Sequence, residues 1–237
     1  MANSFDIRKE VVLEATQHQV WQAIATPEGQ AAWSPDPYAS DEGLVVHRDP
    51  PRRLAVRTPE APNGAFHAFE YLIEAREGGA TELRFAHRGF LGDDWDAEFD
   101  YEELTSYGWD LYLHTLGQYL RYFPGCAATY IEAQAPAAAA TSEAWTVLEQ
   151  GLGLTGPVRL GEPVRLTPEG LPPIEGVVDY VQPGEDFLAV RASDGLYRFH
   201  SLARMGMPIA VGHYIYTDVD RASVENAWKS WLDRLFA

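Results

Sequence analysis

The change of hydrophobic period near Leu104 constrains this chain most. From Leu104 to Phe123 the residues Trp109, Leu113, Leu116, Leu120 and Phe123 recur at helical spacing, forming one apolar stripe that stops at Pro124-Gly125. The stretches before it, LVVH, RRLAVRT, HAFEYLIEARE and TELRFAHRGF, are short and separated by Pro, Gly or Asn. They predict successive strands of an antiparallel sheet, closed by a long amphipathic helix.

Phe5 to Ala15 reads as a further strand leading into HQVWQAIATPEGQAAWS. There Val20, Trp21 and Ile24 repeat at helical spacing, and Pro27 favours the first turn of a new helix. Two short helices meeting at a corner are expected, with Trp33 closing it, followed by an irregular Pro-rich bend.

Residues 1–125 therefore form a first unit. Residues 126–141 are dominated by alanine, hold Pro136 and show no apolar periodicity, which predicts a linker. A second unit, 142–237, opens with SEAWTVLEQGLGL, where Ser142 is placed to cap a helix. Strands such as VRLTPE, EGVVDYV, FLAVRA, LYRFHSL and IAVGHYIYT follow. The closing VENAWKSWLDRLF repeats the earlier stripe at Val224, Trp228, Trp231 and Leu235. RRLAVRT, Gly64 and FHAF match DFLAVRA, Gly195 and YRFHSL in order, so the second unit reads as a divergent, abbreviated duplicate of the first.

Charge and composition narrow the function. Eighteen basic against 35 acidic residues give a net charge of -17, which repels phosphate backbones and anionic lipid, so neither nucleic acid nor membrane is an expected partner. No signal peptide and no apolar run near the roughly 20 residues of a membrane span are seen, and a cytoplasmic location is expected. The single Cys126 forms neither an internal disulfide nor a zinc site. With no HExxH, GxSxG, CxxC or Gly-rich phosphate loop, no catalytic residue, metal or cofactor is assigned. In GDDWDAEFDYEEL, the acids Asp93, Asp94, Asp96, Glu98, Asp100, Glu102 and Glu103 read as a solvated face. An EF-hand counted from Asp94 would have Phe99 where glycine is required. The acids nearest Leu104 suit a helix N-terminus.

Alternation sorts the sheet's faces. His67, Phe69, Tyr71 and Ile73 alternate with Ala68, Glu70, Leu72 and Glu74; likewise Leu83, Phe85 and His87 alternate with Glu82, Arg84 and Arg88. The first set of each points inward, the charged sets outward. An apolar inner face with two histidines and a tyrosine could orient a ligand's polar end, and the long helix would supply the opposite wall. The candidate ligand-binding set is His67, Phe69, Tyr71, Phe85, His87, Trp109, Tyr112, Leu113 and Leu116. In the second unit His200, His213, Tyr214 and Tyr216 fit no metal motif.

The order of strand, VWQAIATPEGQAAW, DPPRRLAVR, a strand pair ending in LRFAHRGF, and GWDLYLHTLGQYL resembles the heat-shock protein 90 ATPase activator homologue family of the START-like (SRPBCC) superfamily, over residues 5–124. The resemblance implies an α+β helix-grip fold, in which a curved antiparallel sheet wraps a long C-terminal helix and two short helices close one end. Trp21 and Trp33 would plug that end. The inner face predicts, first, a binding protein that holds a small, largely apolar molecule in a cavity between sheet and long helix. A protein-interaction role, as in stimulating a chaperone ATPase, is the alternative, and a cyclase or hydrolase acting on an aromatic or lipid-like substrate is the weaker one.

Overall fold

The computed structural model describes residues 3–35, 44–96, 99–181 and 186–237. Glu98 and most of the Pro-rich bend lie outside the described residues. The chain divides into two compact units, Met1–Ala127 and Ala128–Ala237.

In the first unit, β1 (Ser4–Leu13) leads into α1 (Gln17–Ala25) and α2 (Pro27–Ala31), then β2 (Val45–Asp49), β3 (Arg53–Arg57), β4 (Phe66–Ala75), β5 (Thr81–Phe90) and α3 (Tyr101–Tyr122). The sheet is antiparallel in the order β1-β5-β4-β3-β2, so the first and last strands are neighbours. Phe69, Tyr71 and Ile73 on β4 and Leu83, Phe85 and His87 on β5 are buried, whereas Arg84 and Arg88 are exposed. That apolar face receives α3, whose Trp109, Leu113, Leu116 and Leu120 are buried. The Trp109 ring lies 4.1 Å from Phe85 and 6.0 Å from Phe69, centroid to centroid. Lys9 on β1 reaches Asp110 on α3 at 2.7 Å.

The expected corner is present. Thr16 and Gln19 form a capping box that starts α1. Thr26 ends that helix and begins the next: its hydroxyl donates to the Gln22 carbonyl at 2.7 Å and accepts from the Gly29 N–H at 3.0 Å. A Cβ on Gly29 would stand 2.1 Å from the Gln22 carbonyl oxygen, so only glycine lets the two helices approach this closely. Trp33, 1% exposed, closes the corner by donating its indole N–H to the Ala23 carbonyl at 2.8 Å. Burial of each such aromatic stabilises the corner by about 1.5 to 3 kcal/mol. At the other end of the unit Asp100 caps α3 by accepting from the Glu103 N–H, with Glu102 and Glu103 in the first turn, where negative charge is favoured.

The second unit departs from expectation in two ways. Residues 126–141 are not a linker: Thr129–Gln134 forms β6, which pairs with the last strand from Thr129 opposite Ile215 to Gln134 opposite Ala210. Its Ile131 and Ala133, and Ala135 just beyond it, are buried, two of the three being too small to give an apolar signal. The sheet is also not abbreviated. Beyond β6 and α4 (Ala144–Gly151) come β7 (Pro163–Leu166), β8 (Ile174–Val181), β9 (Phe187–Ala192), β10 (Gly195–Leu202), β11 (Met207–Ile215) and α5 (Arg221–Leu235). The strand order is β6-β11-β10-β9-β8-β7, among the described residues one strand more than the first sheet. What is reduced is the helical part: α4 stands alone where the first unit has two helices, and α5 has 15 residues against 22 in α3. Ser142 does not cap α4, because Glu143 occupies the cap position.

Both units therefore run strand, helix, antiparallel strands and closing helix, with the first and last strands paired. The two LAVR stretches hold the same place in this order, on β3 and on β9. Val56 pairs with Phe69 on the following strand, as Val190 does with Tyr197.

Candidate functional site

The register of β4 against β5 sets Phe69 opposite His87, Tyr71 opposite Phe85 and His67 opposite Gly89. Gly89 is needed there, since a Cβ would meet the Phe66 carbonyl oxygen at 2.4 Å and the Phe5 ring at 2.7 Å. In that space Phe5 lies 4.8 Å from the His87 ring and 5.7 Å from His67.

Three polar side chains in this layer form a hydrogen-bonded chain. The Trp109 indole N–H donates to His87 Nδ1 at 3.0 Å, and His87 Nε2 lies 3.0 Å from His67 Nδ1. An indole can only donate, so a neutral His87 carries its proton on Nε2 and donates it to His67, whose own proton then sits on Nε2. Burial, with a smaller contribution from neighbouring His67, holds the His87 pKa down at about 3; burial also lowers that of His67. Both rings are neutral near neutral pH. His87 is 4% exposed, whereas His67 is half-buried. Among the described residues, His67 Nε2 has no hydrogen-bond partner.

The structure joins seven of the nine candidate residues through ring contacts. Phe69 stacks on His87 at 4.4 Å, Tyr71 meets Phe85 at 5.0 Å, and half-buried Tyr112 meets Trp109 at 5.8 Å. Leu113 and Leu116 are buried on α3, the helix that carries Trp109. Rings at these distances touch, so the cavity expected between sheet and long helix is filled by side chains across the middle of the layer, and half-buried His67 lies toward the Tyr101 end.

Sequence reasoning missed what lies beyond that end. An open pocket of about 1050 Å³ runs along Phe5, Trp95, Phe99 and Tyr101. Tyr101 stands 5.0 Å from Phe5 and 6.4 Å from His67. The signal was an aromatic residue at every second to fourth position inside the acidic stretch, which the charges obscured. Among the described residues, no cluster of His, Cys, Asp and Glu suits a metal ion.

The second unit keeps part of this arrangement. His213 on β11 is fully buried, with its ring 5.0 Å from Tyr197 and 4.6 Å from Trp228 on α5. By strand register His213 corresponds to His87, and Trp228 packs on it from the closing helix as Trp109 packs on His87. Gly195 stands two residues before Tyr197, where His67 stands two before Phe69, so the outward step of the chain is missing. His213 Nδ1 accepts from the Arg198 backbone N–H at 3.1 Å, and its Nε2 is left without a hydrogen bond.

Fold and site together define an α+β protein of two units, each an antiparallel sheet with a closing helix and a histidine-tryptophan pair. No family model and no curated protein matches the chain. Among solved structures it is similar to the Aha1 dimer from Colwellia psychrerythraea, at 18% identity and a TM-score of 0.39, over 51% of this chain and 98% of that one. Two further structures span nearly all of it. DynU16, a protein in the dynemicin biosynthetic locus, has 17% identity and a TM-score of 0.39 over 97% of this chain and 96% of its own. The di-domain ARO/CYC BexL from the BE-7585A biosynthetic pathway has 11% identity and a TM-score of 0.40 over 95% and 88%. Likenesses this low say nothing about function. Among the described residues no helix is long and apolar enough to cross a membrane.

Proposed function

We propose that the first unit binds a small, largely apolar molecule at the Tyr101 end of its sheet-helix layer, with His67 making the polar contact. The observation that carries this reading is the chain Trp109–His87–His67, which runs through an apolar layer and ends on an N–H without a partner among the described residues. Both ring nitrogens of His87 are bonded within the chain, and the Nε2 N–H of half-buried His67 is left to donate to a ligand oxygen. Apolar walls with a few convergent polar groups suit a small molecule. His87 and Trp109 then act as positioning residues, and Phe69, Tyr71, Phe85, Tyr112, Leu113 and Leu116 form the apolar backing. With its pKa near 3, His87 is a poor general base at neutral pH, which favours binding over turnover. The outward charges, which a protein partner would use, are engaged with one another: Arg53 with Glu70 at 2.8 Å and Arg88 with Asp6 at 3.1 Å.

The test is a fluorescence titration with 2-naphthol, an aromatic body carrying one oxygen. Saturable binding at one per chain is expected, weakened at least tenfold in His67→Ala and unchanged in Glu70→Gln. Absence of saturable binding, or equal affinity in His67→Ala, contradicts the reading.

A further inference from the structure

The rings around the open pocket do not lie flat on one another. Trp95 meets Phe99 at 5.9 Å and 89°, and meets Tyr101 at 5.6 Å and 83°. Edge-to-face rings turn their π faces in different directions, and all three rings line the pocket. Each face carries the negative part of the ring quadrupole and attracts a cation. Tyr101 adds no charge of its own, since burial raises its pKa and keeps the phenol neutral.

The polar lining has the same sign. Asp6, Asp96, Asp100, Glu102 and Glu103 line the pocket against one guanidinium, that of Arg8, an excess of four negative charges. Arg8 is itself held by Asp6 at 2.7 Å, and its pKa is raised mainly by that hydrogen bond. Asp100 is occupied with capping α3, and Glu102 accepts the Asp6 backbone N–H at 3.3 Å. Asp96 is exposed at the rim. The positive end of α3 also faces this region, but its half charge is outweighed by the carboxylates of its own first turn. An anionic ligand would meet carboxylates, and a neutral one would gain nothing from them.

We propose that this pocket takes a small molecule bearing a quaternary or protonated amine, its cationic head held among Trp95, Phe99 and Tyr101. The proposal rests on the reading of this unit as a small-molecule binder and adds the charge of its ligand. Phe5, which lines the pocket and touches both His67 and His87, connects the two regions.

Choline and its neutral carbon isostere 3,3-dimethylbutan-1-ol make the test, titrated against the full chain while the Trp95 indole resonance is followed by NMR. Choline should shift that resonance saturably and bind at least tenfold more tightly than the alcohol. Trp95→Ala should weaken choline at least tenfold. The double variant Asp96→Asn, Glu102→Gln, which leaves the rings in place, should weaken it several-fold, and added salt should act in the same direction. Equal binding of the two probes, or wild-type affinity in the carboxamide variant, overturns the proposal. If 2-naphthol binds through His67 and choline does not bind, the cation site falls and the binding role stands. Choline binding without 2-naphthol binding supports the cation site and overturns the contact at His67.

Discussion

Trp109 Nε1 and His87 Nδ1 lie 3.0 Å apart between β5 and α3, and the bond between them fixes which nitrogen of His87 carries the proton. Trp109→Phe keeps an aromatic ring, though a smaller one, and removes the donor, leaving His87 Nδ1 buried without it. Chemical denaturation should report a loss of about 1 to 3 kcal/mol. Trp109→Ala, which also opens a cavity, should cost about 3 to 5 kcal/mol, and Trp228→Ala in the second unit should behave alike. Parent-like melts for these alanine variants would show that neither indole anchors its closing helix.

Acid should destabilise the first unit through His87. Its pKa is about 3 in the folded chain and near 6.5 when unfolded, so between those values the unfolded chain takes up a proton that the folded one refuses. Stability is constant with respect to this group above about pH 7 and falls with pH below it, by up to about 1.4 kcal/mol per pH unit. His200, lowered to about 4, and His213, lowered further, act in the same direction in the second unit. Unfolding followed from pH 7 to pH 4 should show this slope, and His87→Phe should reduce it by about one proton. An unchanged slope in the variant would mean that His87 is protonated in the folded state.

At the α1–α2 corner the close approach of Gly29 to the Gln22 carbonyl leaves no room for a methyl group. Gly29→Ala should therefore lower the melting temperature more than Gly78→Ala, although Gly78 has a positive φ that disfavours alanine, because nothing lies within 4 Å of a Cβ there. A thermal melt ranking the two in the opposite order would remove the corner's claim to depend on close contact.

Strand β6 belongs to the second sheet, with Ile131 fully buried opposite His213. Ile131→Ala should cost about 2 to 5 kcal/mol and be seen as loss of the near-ultraviolet signal of Trp228 and Trp231. Preferential proteolytic cleavage within residues 129–134 of the native chain would instead restore the linker.

The parts legible in the sequence were those where side-chain size and period agree. Alternation placed His67, Phe69 and Tyr71 on one face because that face is apolar and the other is charged. It also set Glu82 outward, yet Glu82 is 1% exposed, with the guanidinium groups of Arg76 and Arg84 paired to its carboxylate. Alternation gives a direction, whereas burial depends on which long side chains fold across it. Strand β6, TYIEAQ, carries strand formers in Thr129, Tyr130 and Ile131, but the alanines on either side hid so short a signal. The ring pocket was hidden for another reason: seven acids around Trp95, Phe99 and Tyr101 read as solvent-facing, and only the fold shows that the rings meet. The match of His213 to His87 rests on register through β9 and β10, which a four-residue likeness cannot carry.

The binding role of the first unit is tested most directly by an NMR titration of the full chain with 2-naphthol, following the Trp109 indole N–H and the His67 ring nitrogens together. Both should move with a single saturating isotherm at one ligand per chain, because the hydrogen-bonded chain couples them, while Trp228 stays unmoved. Saturable binding that leaves Trp109 and His67 in place, or no binding at all, contradicts the account.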